Sequence, residues 1–483
     1  MEAAQAAPRS GLVVGVLAAA GITVSLMQTL IVPLIATLPE LLHTTTADAF
    51  WAITATLLAG AVAMPVSGRL GDLYGKRRVM VASALLLAAG SFVCAPAESL
   101  IPMVAGRALQ GLGMGVIPLG IAIMRDVLPP QRLGSAVGLM SSSLGVGGAL
   151  GLPAAALVAQ YVSWHALFWA AAGLGLLMSV LILLIVPESP VRSPGRFDVP
   201  GAIGLSAGLV LLLLPVSKGS EWGWTSGTTL GMFAASALVL TLWGWWELRV
   251  PAPLVDLRTT ARRQVLLTNL ASIVVGFAMY AMSLITPQLL QLPPATGYGL
   301  GRSMVEAGLW MAPSGLVMMA ISPVAARLSA ARGPKTSLLL GTLVIASGYL
   351  LALALMGYAW GILIFSAVVA AGIGFAYAAM PSLIMAAVPR TETAAANGLN
   401  SLMRAIGTST ASAVLGAVLA NLTIKLGPVT LPSEAGFRAG FVIGAAVAVL
   451  AALIVVTIPG RRAAARHPAG TPSGLDQEEL PAR

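Results

Sequence analysis

Fourteen mostly apolar stretches follow one another between residues 11 and 458, parted by short polar loops. A membrane-spanning helix needs about 20 such residues. Within lipid each backbone N–H and C=O must be satisfied inside the segment, which helices do alone and short strands do not. The runs are read at 11–38, 50–71, 78–97, 100–124, 135–160, 165–187, 198–217, 228–247, 264–291, 303–328, 335–356, 359–387, 394–422 and 437–458. Only 9% of the chain is charged, against roughly 25% in soluble domains. The predicted class is an all-α integral membrane protein of 14 helices.

The formal charge of +10 does not point to nucleic acid, because the bases sit in the short loops. With the N-terminus placed inside, 21 of the 27 Lys and Arg fall in inner loops and tails. Only Lys218, Arg302, Lys425 and Arg438 fall outside, and Arg107 and Arg404 lie within spans. This bias predicts cytoplasmic N- and C-termini and an even number of helices. The first run, behind a head whose one base is Arg9, is read as a retained helix rather than a cleaved signal. One cysteine, Cys94, forbids an internal disulfide, and three histidines give no basis for a metal cage or cofactor site.

The chain repeats itself. Arg69-Leu70 followed by Gly75-Lys76-Arg77 returns as Arg327-Leu328 followed by Gly333-Pro334-Lys335, an offset of 258 residues. Gly138-Leu139 returns as Gly398-Leu399. The offset exceeds one six-helix half by room for two more helices, which predicts a six, two, six plan. The expected units are 1–190, a first bundle; 191–260, two inserted helices and linker; 261–460, a second bundle; and 461–483, a disordered inner tail. Parallel repeats of this kind build transporters with a midplane site between the halves.

The sharpest local signal is Gly68-Arg69-Leu70-Gly71-Asp72-Leu73-Tyr74-Gly75-Lys76-Arg77-Arg78. Its glycines allow a tight turn, its bases hold that turn at the inner surface, and Asp72 is a lone acid among cations. An acid there suits the N-terminus of a helix in the other half. We expect Asp72 to meet helix 13 near Thr393 and, with Asp126, to form a conformational gate.

This segment resembles the loop 2–3 signature of the major facilitator superfamily. Gly106-Arg107-Ala108-Leu109-Gln110-Gly111-Leu112-Gly113 resembles that superfamily's fourth-helix motif, and Gly138 to Ala156, with Gly147, Gly151 and Pro153, its antiporter motif, which packs helices across the half interface. Asp198 after Arg196-Phe197, Glu247 before Pro251, and Asn400 to Gly407 around Arg404 are similar to the fourteen-helix drug:proton antiporter branch. The resemblance implies proton-coupled export, with Arg107 taking part in coupling. Three positions depart from the pattern. Gln28 stands where the branch has an Asp in helix 1. The antiporter motif reads Gly151-Leu152-Pro153-Ala154-Ala155-Ala156. Ala330 replaces the second copy of Asp72.

A charge inside a span is costly and marks a functional candidate. Arg404 lies roughly 15 Å into its helix at 1.5 Å per residue, near midplane, and Arg107 is shallower. No acid sits as deep, so the expected central cavity is electropositive and suits neutral or anionic amphiphiles. Glu306 is the nearest embedded acid, although Arg302 and its helix start can account for it. Met27, Gln28, Tyr280, Trp310, Tyr377 and Asn400 are candidates to line the cavity. The expected partners are a small-molecule substrate, protons and the bilayer, for a monomer in a bacterial plasma membrane. An uncoupled facilitator or importer of a neutral or anionic metabolite is the alternative. A lipid enzyme would want paired carboxylates, an HExxH helix or a DxD-like loop, and a pump would want a Walker lysine loop; no such motif is read in the sequence.

Overall fold

The computed structural model describes residues 2–459 except 32, 33, 35, 36, 427 and 428. The expected disordered tail at 461–483 lies outside these. Fourteen of the described helices are long and apolar enough to span a bilayer. Numbering only these, α1 is Glu2–Thr29, α2 Trp51–Tyr74, α3 Lys76–Cys94, α5 Pro130–Tyr161 and α6 Trp164–Ile185. Helix α4 runs from Leu100 to Val127 through a 3-10 turn at Gly113–Gly115. The next two are α7 Val199–Trp222 and α8 Gly227–Glu247. The last six are α9 Arg263–Gln291, α10 Met304–Arg332, α11 Pro334–Leu355, α12 Ala359–Ala387, α13 Thr393–Asn421 and α14 Glu434–Val456.

Several boundaries shift by a few residues, and the first helix differs most from the reading of the sequence. The first spanning helix stops at Thr29 rather than running to 38. Pro33 in the sequence has no N–H for the Thr29 carbonyl, and apolarity alone does not register that. An antiparallel hairpin, β1 Thr423–Leu426 and β2 Val429–Pro432, was also unforeseen.

The same packing scheme occurs twice. In the first bundle α1 packs on α5, α2 on α4, and α3 on both α4 and α6. In the second α9 packs on α13, α10 on α12, and α11 on both α12 and α14. The turn between α2 and α3 bends at Gly75 (φ 112°), that between α10 and α11 at Gly333 (φ 89°), both backbone states that favour glycine. After each turn a base caps a distant helix end: Arg77 Nη1 donates to the Val186 carbonyl beyond α6 (3.3 Å), and Lys335 Nζ to the Val456 carbonyl of α14 (2.8 Å).

The halves meet along two seams, α2 against α13 and α5 against α10. Lipid gives helices no hydrophobic reason to associate, so close packing of small residues carries the seams. Gly398 on α13 faces the Met64 carbonyl of α2, and the repeat equivalent Gly138 on α5 faces the Ser322 carbonyl of α10. Helix α7 lies against α2 and α13 together, burying Leu205, Leu209 and Leu213 with Ala61, Leu399 and Leu402. Helix α8 packs on α7 and is otherwise largely exposed.

Candidate functional site

The end of the molecule carrying the α2–α3 turn is its basic end, and there the halves interlock. Asp72, fully buried in the last turn of α2, aims its carboxylate at the start of α13 and accepts from the backbone N–H groups of Ala394 (3.2 Å) and Ala395 (2.8 Å). The first N–H groups of a helix lack intrahelical partners and carry its positive dipole end, so an acid is favoured there. Gly68, one turn back, lets the backbones touch: a methyl group there would lie under 3 Å from the Ala394 carbonyl.

Behind Asp72 sits a buried ion cluster. Lys76 Nζ is 2.7 Å from Asp126 Oδ2 and 3.5 Å from Asp72 Oδ1, and all three side chains are closed to solvent. Ser189 donates to Asp126 (2.6 Å) and Lys76 also to the Val191 carbonyl (3.3 Å). Gly71 packs against Leu119, and Arg77 shares Glu188 with Arg78. Arg69 reaches Ser193 (3.3 Å), whose hydroxyl donates to the Thr391 carbonyl ahead of α13 (2.7 Å) and whose N–H donates to the Asp72 carbonyl (2.7 Å). The α6–α7 linker is thus threaded through the interlock.

Sequence reasoning missed Arg125. From the end of α4 its guanidinium crosses to the other half and donates to Thr393 Oγ1 (2.6 Å) and to the carbonyls of Met385 (2.6 Å) and Val388 (3.1 Å). Its partners are mostly main chain, so no residue pattern announces them. A cavity of about 260 Å³ opens at this end, lined by Arg69, Ser193, Leu254, Asp256, Thr391 and Glu392.

The two arginines within spans occupy unlike settings. Arg107 is 2% exposed and ties α4 to its neighbours, donating to the carbonyls of Ala52 (3.1 Å) and Met27 (3.0 Å) and to Gln110 (2.6 Å). That is a brace within one bundle. Arg404 is 8% exposed and donates to Asn400 (2.6 Å) and Ser401 (2.7 Å), with its guanidinium 5.1 Å from the Tyr377 ring centre. Asn400 donates in turn to Asn269 and Ser272 of α9. Among the described residues neither arginine has a carboxylate within 4 Å.

The sequence of the chain matches the profile of the Major Facilitator Superfamily over residues 17–412, with a second match over 292–480. The chain belongs to the major facilitator superfamily. The chain is 29% identical to the multidrug resistance protein Stp of Mycobacterium tuberculosis, over 77% of its own length and 68% of that protein's. It is 28% identical to the tetracenomycin C resistance and export protein of Streptomyces glaucescens, over 87% of its length and 79% of the relative's. Its fold matches the crystal structure of the human organic anion transporter MFSD10 with a TM-score of 0.64 at 17% identity, over 92% of this chain and 99% of that one. It is a multi-pass membrane transporter and not an enzyme, and its curated relatives are bacterial exporters of the multidrug and antibiotic type.

The remaining candidates fall in several places. Tyr377 and Asn400 gather at Arg404; Tyr377 donates to the Met279 sulfur (3.1 Å). Gln28, Tyr280 and Trp310 are half-buried. Met27 is packed in the first bundle's core. Glu306 is half-exposed at the start of α10, where it closes a capping box with Ser303 and lies 3.8 Å from Arg302. Those contacts account for it as a helix cap. The antiporter-motif glycines also need correcting. Gly147 and Gly151 pack against Ser25 and Thr29 of α1 in their own bundle, while Gly138, Gly145 and Pro153 make the cross-half seam with α10. Positions 145 and 147 are two residues apart, about 200° round a helix at 3.6 residues per turn, so they face opposite ways.

Proposed function

We propose that the protein is a proton-coupled exporter of small amphipathic molecules that works by alternating access, with its basic end cytoplasmic and as a monomer. One observation carries the reading: the halves are fastened at that end by hydrogen bonds from the N-terminus of α13 to Asp72, whose carboxylate is held by an ion cluster inside the first bundle. Such bonds exchange with water at modest net cost, so the fastening can open as the bundles rock. The bundles 1–190 and 261–460 move as bodies, and 191–260 rides on the α2–α13 seam.

The substrate is a neutral or anionic amphiphile. A guanidinium with no counter-charge disfavours permanent cations nearby, and Tyr377 beside Arg404 offers an aromatic wall. The names of the relatives, multidrug resistance and tetracenomycin C export, support a drug or antibiotic type of cargo. The direction of transport rests on those relatives.

The test is efflux from loaded proteoliposomes under an imposed pH gradient, with cationic, neutral and anionic compounds. Gradient-driven movement of neutral or anionic compounds is expected. Transport of quaternary ammonium dyes alone would reverse the substrate assignment. Flux indifferent to the gradient would establish the second reading, an uncoupled facilitator or importer, which Gln28 in the usual place of an acid favours.

A further inference from the structure

The described helices bury one carboxylate pair without a cation. Glu247, the last residue of α8, is 3% exposed; its Oε2 accepts from the Val255 N–H (3.4 Å), and its Oε1 makes no hydrogen bond within 3.5 Å, the Trp243 indole and the Leu254 backbone lying beside the carboxylate. Asp198, 7% exposed, caps α7 through the Gly201 N–H (2.9 Å) and accepts from Trp246 Nε1 (3.2 Å). A methyl group on Gly201 would lie within 3 Å of both Asp198 Oδ2 and Glu247 Oε1, so the two oxygens face each other across that glycine. Neither carboxylate has an ion pair among the described residues. Of the bases around the pair, Arg249 lies over the Trp245 ring (3.9 Å), Arg258 donates to the Leu248 carbonyl (2.9 Å), Arg69 donates to Ser193, and Arg196, two residues before Asp198, is exposed and makes no ion pair with either carboxylate. Of the other acids, Asp256 caps its own short helix and Glu392 lines the basic-end cavity.

We propose that Asp198 and Glu247 form a proton-binding site at the basic end of the inserted helices, apart from Arg107 and Arg404. Two carboxylates sharing a desolvated site do not both ionise. One proton binds one carboxylate to give a carboxylic acid, whose O–H donates from Glu247 Oε1 toward Asp198 Oδ2. The site joins the two linkers of the gate. The linker before Asp198 carries Val191 and Ser193, bonded to Lys76, Asp72 and Thr391. The linker after Glu247 carries Leu254, Val255 and Asp256, which wall the cavity beside Arg69 and Glu392. Loss of the proton sets two like charges against each other and drives these linkers apart. This gives the coupled exporter a proton site, and in that respect rests on the coupled reading.

Infrared spectra of the reconstituted full chain test the site. Wild type is expected to show a protonated-carboxyl band at neutral pH that shifts in D2O, disappears as pH rises and is missing in Glu247→Gln, which keeps the shape of the protonated acid. A wild-type spectrum with no band that Glu247→Gln removes overturns the proposal. In proteoliposomes Glu247→Gln is expected to lose gradient-driven accumulation at least tenfold and to keep substrate counterflow. Wild-type accumulation in that variant overturns the coupling role. Wild-type flux indifferent to the gradient defeats the coupled reading instead, and the infrared band then decides the proton site by itself.

Discussion

Asp72 joins two backbone N–H groups of the opposite half and a buried lysine with one carboxylate. Asparagine keeps the volume but presents one acceptor oxygen and no charge. Charge-assisted bonds at a helix start are worth roughly 1–2 kcal/mol, so Asp72→Asn should lower transport about tenfold while yield and gel-filtration profile stay those of wild type. Full activity in that variant would remove Asp72 from the gate. Glu306 leads to the opposite expectation. Glu306→Gln retains the capping box, so transport and its dependence on the pH gradient should not change; a lost gradient response would restore Glu306 as a coupling residue. The Asp72 contact was legible in the sequence because a lone acid in a glycine-rich basic turn has few neutral explanations. Arg125 was not legible, since its acceptors are mainly carbonyls between α12 and α13, and every residue has a carbonyl.

At the scale of elements, the seams α2–α13 and α5–α10 are repeat copies with unequal tolerance. A methyl on Gly68 would fall under 3 Å from the Ala394 carbonyl, whereas in the matching contact of the other seam one on Gly134, the counterpart of Ala394, would lie 3.9 Å from Ala326, the counterpart of Gly68. Forcing a methyl into a packed contact costs about 1–3 kcal/mol. Gly68→Ala should therefore hold the basic end open and slow transport severalfold, and Gly134→Ala should transport at the wild-type rate. Equal activity of the two variants would show that the tight seam does not limit the cycle. The helices themselves were readable, because length and apolarity are what lipid selects. The faces were not: Gly147 and Gly138 belong to one motif yet point at different bundles.

The whole molecule is an array of spans whose sidedness rests on charge bias alone. Cys94, the one cysteine, is buried, so introduced thiols can report topology against a silent background. Ala295→Cys, in the exposed α9–α10 loop, should react with an impermeant maleimide on intact cells, and Arg196→Cys, in the α6–α7 linker, only after permeabilisation. The reverse pattern would invert the protein and its transport direction. The number of spans, the doubled plan and the place of the glycine-rich basic turn around Asp72 follow from sequence by itself, because each depends on residue composition along a stretch of chain and on a fixed offset between copies. The tertiary structure alone decided that Arg107 braces one bundle, that Arg404 has Tyr377 and Asn400 for neighbours, and that Glu247 faces Asp198 with no base between them. Those outcomes depend on which helix faces meet, a rotation of a few tens of degrees that an apolar run, hydrophobic on every side, does not encode.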